Sequence, residues 1–163
     1  MAPVYVALVL FAAAGATFGV PVLAQKPSAP AATGARLDAC TILSRDEVKK
    51  IFPWSVQGDP QKEIEQLPFG GGSACVYPSV QIGVDKYSAS RIERARKDGP
   101  LIPVAGIGDE AFLQQKGKIW AELYVKAGDR LILIEKDIPV EGTFESVKPS
   151  MVALGKAVVA KLR

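Results

Sequence analysis

The sequence predicts an α+β fold, a two-layer sandwich in which an antiparallel sheet carries helices mainly on one face. Three observations predict it. Ser44-Arg45-Asp46-Glu47 has the spacing of a helix-opening capping box. The strand-like runs Ala111 to Gln115, Lys118 to Lys126 and Arg130 to Asp137 are joined by turns at Lys116-Gly117 and Ala127-Gly128-Asp129, which makes an antiparallel meander. A C-terminal run places Val147, Met151, Leu154, Val158 and Leu162 at helical spacing.

In chain order, the Ser44 helix carries Val48, Ile51 and Phe52 on its apolar side and stops at Pro53. Ser55 to Gly72 is polar and turn-rich, an irregular excursion with at most a short element near Lys62 to Gln66. Ala74 to Tyr87 is extended, interrupted at Pro78, and alternates through Val80, Ile82 and Val84. A weak helix from Ser88 to Lys97 ends at Gly99-Pro100. Its basic run Arg91, Arg94, Arg96 and Lys97 is broken by Glu93 and Asp98 and reads as a solvated face.

In the middle strand of the meander, Trp120, Glu122, Tyr124 and Lys126 share one face, and Ile119, Ala121, Leu123 and Val125 share the other, which should be core. Leu131 to Ile134 is apolar on both sides. That strand is expected at the centre, with helix on one face and loops or a partner on the other. In the last helix Pro149 is expected in or near the first turn, and Lys161 and Arg163 suit the negative end of its dipole.

Met1 to Ala24 contains no charged residue and ends in Val22-Leu23-Ala24, the small-residue pattern of an export signal cut after Ala24. No Lys or Arg precedes Lys26, so a retained anchor is the alternative: 24 residues of helix reach about 36 Å, enough to cross a bilayer. The organisation expected is therefore a leader or anchor over 1–24, a flexible Ala- and Pro-rich linker over 25–37 and one α+β domain over 38–163. The formal charge of +3 on 163 residues gives no strong field for nucleic acid.

Cys40 and Cys75 are the only cysteines, and in an oxidising compartment such a pair forms one disulfide; two buried free thiols are the alternative. A redox site prefers Cys-x-x-Cys, and two Cys with no His cannot complete a zinc site. No metal or cofactor is expected.

The absence of His removes Ser-His-Asp and Cys-His catalysis. Asp109, Glu110 and Glu122 remain as carboxylate candidates, set against a polar turn and a solvated strand face. Gly106-x-Gly108 lacks the third glycine of a dinucleotide loop, and Phe69-Gly70-Gly71-Gly72-Ser73 lacks the Lys of a phosphate loop. Trp120 and Tyr124, on the face away from the expected core, and Trp54 and Phe69 near the excursion form a candidate binding surface. Cover by a helix or by the Ser55 to Gly72 loop is the other outcome.

Asp38-Ala39-Cys40-Thr41-Ile42-Leu43-Ser44 leading into a helix, a second Cys opening a strand, and Gly106-Ile107-Gly108-Asp109-Glu110-Ala111-Phe112 before a meander together resemble a broad group of uncharacterised exported bacterial proteins. That group includes small lipoproteins and the extracytoplasmic domains of some sensor kinases. The resemblance spans roughly Asp38 to Leu162 and implies an extracytoplasmic location, an α+β fold and a disulfide. It brings no catalytic residues, and the chain lacks the lipoprotein cysteine beside its apolar leader.

The function expected is that of an exported, non-enzymatic binding domain of the periplasm or cell envelope. Its partner would be a small molecule, a peptide or an envelope protein, with membrane contact only through a retained leader. The alternative is an accessory subunit of a membrane complex, held by that uncleaved helix.

Overall fold

Asp38 opens the first element by accepting the Cys40 N–H at 3.1 Å, which starts a one-turn helix, α1 (Ala39–Ile42). The computed structural model describes residues 37–53, 61–64 and 72–163. The leader, the linker before Leu37, Trp54 and Phe69 lie outside the described residues.

The capping box forms as read: Ser44 Oγ accepts the Glu47 N–H at 3.2 Å, and Glu47 Oε2 accepts the Ser44 N–H at 2.8 Å, opening α2 (Arg45–Ile51). The excursion contributes β1 (Gln61–Ile64). Pro78-Ser79 turns β2 (Ser73–Tyr77) into β3 (Val80–Lys86), and α3 (Ala89–Asp98) follows. After β4 (Ile102–Pro103) comes the meander, β5 (Glu110–Lys116), β6 (Trp120–Ala127) and β7 (Arg130–Asp137). The chain closes with α4 (Phe144–Leu162), capped by the Thr143 hydroxyl on the Ser146 N–H at 3.2 Å. That cap places Pro149 in the second turn rather than the first, where it removes the bond its N–H would make to the Glu145 carbonyl.

The strands form one antiparallel sheet in the order β1-β2-β3-β7-β6-β5-β4, so β7 is central. On one face Ile82, Leu123, Val125, Ile132 and Ile134 pack with Val48 of α2 and Met151, Leu154 and Val158 of α4. Gly155 lets α4 approach closely, since a Cβ there would stand 2.8 Å from Leu123 Cδ2. On the other face Leu131, Leu133 and Tyr124 meet Ile92 and Ala95 of α3. The α+β class and the antiparallel sheet are as expected; α1, α2 and α4 pack on one face, and α3 lies on the other. The second face of β7 is thus covered by a helix, not by loops or a partner.

Cys40 and Cys75 form the disulfide, with Cα atoms 4.8 Å apart and a sequence separation of 35. It fastens α1 to the middle of β2. Beside it, Ser73 Oγ accepts the Ala39 N–H at 2.7 Å and donates to the Leu37 carbonyl at 2.6 Å, so the chain enters the domain at the Ser73 end of the sheet.

A helix of one turn has no stability of its own, so the disulfide and Ser73 hold α1 in place. In the chain-entropy model, opening a loop of this length lowers stability by about 3–4 kcal/mol. Urea unfolding with and without reductant should show that loss, with Cys40→Ser/Cys75→Ser matching the reduced protein. Equal stability in both states would contradict it.

Candidate functional site

Alternation along β6 and β7 puts Trp120, Glu122 and Tyr124 on the α3 side of the sheet, together with Leu131, Leu133, Glu135 and Asp137. α3 starts beyond the Lys86 end of β3 and finishes over β5. There Gln114 Nε2 donates to the Ala95 and Gly99 carbonyls at 2.8 and 3.1 Å, and Asp98 pairs with Lys116 at 3.5 Å. This diagonal covers the middle of the face.

Beneath α3 lies a charged layer. Tyr124, 5% exposed, donates its hydroxyl to Glu122 Oε2 at 2.5 Å; Glu122, 6% exposed, also meets Lys116 at 3.1 Å. Burial, and next the bond to Glu122, push the Tyr124 hydroxyl far up, so it stays a donor. Arg91 is buried in the same layer and pairs with Asp85 at 3.4 Å. It does not join Arg94, Arg96 and Lys97 on the solvated face read from the sequence, because its position in the first turn of α3 points into the sheet.

Glu135 stands directly across from Glu122 in the β6–β7 register. Burial, and then the Glu122 charge, raise its carboxyl against the pull of Lys116 and Arg91. Among the described residues Glu135 has no hydrogen bond or ion pair. It also lines two cavities. One, of about 70 Å³, lies under α3 with Arg91, Glu122 and Tyr124; the other, of about 130 Å³, is a trough beyond the helix walled by Val76, Pro78, Gln81, Trp120 and Asp137.

The trough is the candidate site. Trp120 is 46% exposed, and it pairs in register with Asp137, whose Oδ1 is buried without a hydrogen-bond partner among the described residues. A buried carboxylate oxygen left so costs about 1–3 kcal/mol or more. Lys136, on the opposite face, spends its Nζ on the Asp137 carbonyl at 2.7 Å and on Ser79 Oγ at 3.4 Å. The arrangement of two under-partnered carboxylates and an aromatic face suits a cation.

The other sequence candidates are dispersed. Tyr124 is closed under α3, so the aromatic surface reduces to Trp120 among the described residues. Asp109 Oδ2 accepts the Gly128 N–H at 2.8 Å and braces a turn, and Glu110 sits opposite Lys126, four residues along β6 from Glu122 and so about 13 Å away. Asp109 and Glu110 therefore share no cleft with Glu122. Glu122 and Glu135 are neighbours, but the first is closed in by Tyr124 and Lys116, and 70 Å³ is far below the volume of a substrate pocket. A larger hollow of about 360 Å³ beside Gly106, Gly108 and α4 takes its charge from the exposed tips of Lys156 and Arg163, with no buried polar atom facing it among the described residues. Gly108 there has φ +58°, and a Cβ would strike the Lys126 carbonyl, so the Gly106-x-Gly108 loop is explained by backbone packing.

No group of three or more Cys, Asp or Glu able to hold a metal, and no helix long and apolar enough to cross a membrane, occurs among the described residues. Comparison with protein-family models, curated proteins and solved structures finds no match for this chain.

Glu135 carries a testable cost. The folded state holds its proton to higher pH than the unfolded chain does, so stability falls as pH rises through the Glu135 titration and the cost is complete above it. Glu135→Gln should stabilise the protein at neutral pH by about 0.5–2 kcal/mol and lose that advantage under acid conditions. Urea titrations across pH will read it, and a destabilised or pH-independent variant would refute it.

Proposed function

We propose that this chain is an extracytoplasmic, disulfide-bonded binding domain that takes a cationic group into the trough of Trp120, Glu135 and Asp137. The observation that carries the reading is the pair of carboxylates on β7: one is held at raised pKa beside Glu122, the other has a buried oxygen lacking a donor. Both arrangements cost stability, and such residues concentrate at functional sites. An ammonium or guanidinium group meets both acids and the Trp120 ring together.

The separation of the acids supports a reading of binding over catalysis. Asp109 and Glu110 are remote from Glu122, and no open pair of carboxylates flanks a substrate-sized cavity among the described residues. The extracytoplasmic assignment is supported by the Cys40–Cys75 bond, since structural disulfides are rare in reducing cytosol. It is supported as well by the uncharged segment Met1 to Ala24 and by the resemblance to exported bacterial domains.

Two measurements test this. Oxidised protein carrying Trp54→Phe, which leaves Trp120 as the only indole, should change fluorescence on titration with arginine amide but not with acetate. Glu135→Gln and Asp137→Asn should each weaken that response at least tenfold, and the native response should strengthen as pH rises through the Glu135 titration. No response would remove the site. Intact mass of protein from its native host should give a chain starting at Gln25 and two hydrogens lighter than the reduced form. A full-length mass would make the leader an anchor, and a reduced mass would undo the compartment assignment.

A further inference from the structure

Resting on the reading of the trough as a cation site, we propose that its occupant is a short linear diamine, a molecule with an ammonium group at each end of an unbranched carbon chain. Charge is the first argument. Glu135 and Asp137 are the only charged residues that line the trough, and both are acids. Lys136 lies on the opposite face and bonds the Asp137 carbonyl and Ser79; Lys116 is shared by Glu122 and Asp98, and Arg91 pairs with Asp85. One positive charge in the trough balances one acid. Two balance both.

Spacing is the second argument. Glu135 and Asp137 stand two residues apart on the same face of β7, which sets their Cα atoms about 7 Å apart. Each acid has its own neighbour across the sheet: Gln81 on β3 is in register with Glu135, and Trp120 on β6 is in register with Asp137. An ammonium at the first end meets a carboxylate and an amide oxygen, and one at the second meets a carboxylate beside an indole face. An extended carbon chain advances about 1.3 Å per bond, so the two nitrogens of putrescine stand about 6 Å apart and span that interval. Joining the two contacts in one molecule makes the second at high effective concentration.

The walls complete the fit. Val76, Pro78 and Trp120 present apolar surface to methylene groups, and about 130 Å³ is below the roughly 300–1,000 Å³ of sites that enclose drug-sized molecules, so the occupant is small. A divalent metal ion gathers about six or more oxygen ligands around one point, whereas the trough spreads its two carboxylates along a strand between apolar walls.

The experiment titrates oxidised Trp54→Phe protein, at a pH above the Glu135 titration, with putrescine, butylamine and arginine amide, reading Trp120 fluorescence and calorimetry. Putrescine should bind at least tenfold more tightly than butylamine, which has the same chain and one charge. Glu135→Gln and Asp137→Asn should each abolish that preference, and Glu93→Gln, on the solvated side of α3, should leave it intact. Putrescine no tighter than butylamine, or a preference that survives both trough variants, would overturn the diamine proposal while any bound amine leaves the cation site standing. Silence from all three ligands would remove the cation site as well. Calcium or magnesium ions that displace putrescine at equal concentration would assign the trough to a divalent metal and overturn the proposal.

Discussion

Four consecutive aliphatic side chains, Leu131 to Ile134, must be covered from both sides at once, and the arrangement of the domain follows from that requirement. Full burial of each contributes about 1.5–3 kcal/mol, and an antiparallel sheet open to water on one face would forfeit half of it. β7 therefore sits between β3 and β6. α4 and α2 cover Ile132 and Ile134, and α3 lies over Leu131 and Leu133. One ten-residue helix cannot cover the whole second face, so the trough is what remains beyond its edge.

The charged layer under α3 is the cost of that single cover. α3 brings only Ile92 and Ala95 to the sheet, and the rest of its buried face is Arg91. Asp85 pairs with Arg91, and Glu122 takes Tyr124 and Lys116, because burial penalises an unpaired charge. Glu135 stands at the border of this layer. It feels the Glu122 charge yet reaches the trough, which links the interior electrostatics to whatever occupies the opening.

Much of the fold was legible because it rests on local signals. Ser44 and Glu47 formed their box, Pro78 turned the hairpin, and Val147 to Leu162 took the spacing of α4. α1 was illegible because four residues carry no period; a disulfide and Ser73 make it. The side chosen by α3 was illegible because Arg91 reads as surface until the register sets Asp85 near it. The site was hardest. Trp120 and Glu122 stood out on β6, but Glu135 and Asp137, at the end of the last strand-like run, carried no signal of their own. Only pairing across β6 and β7 opposes Glu135 to Glu122 and Asp137 to Trp120.

The clamp on α1 also shapes how the protein comes apart. The N-terminal turn is held by one covalent bond, one serine, a cap and the burial of Ala39 and Ile42 in one core, whereas β7 is held by two full ladders and both cores. Free energies of opening differ accordingly along the chain. Reduction frees the segment before Ser44 to open locally while the sheet persists, and exposes backbone there to proteases first. The disulfide thus acts as a latch on local opening at α1, where few backbone bonds tie the chain to the sheet.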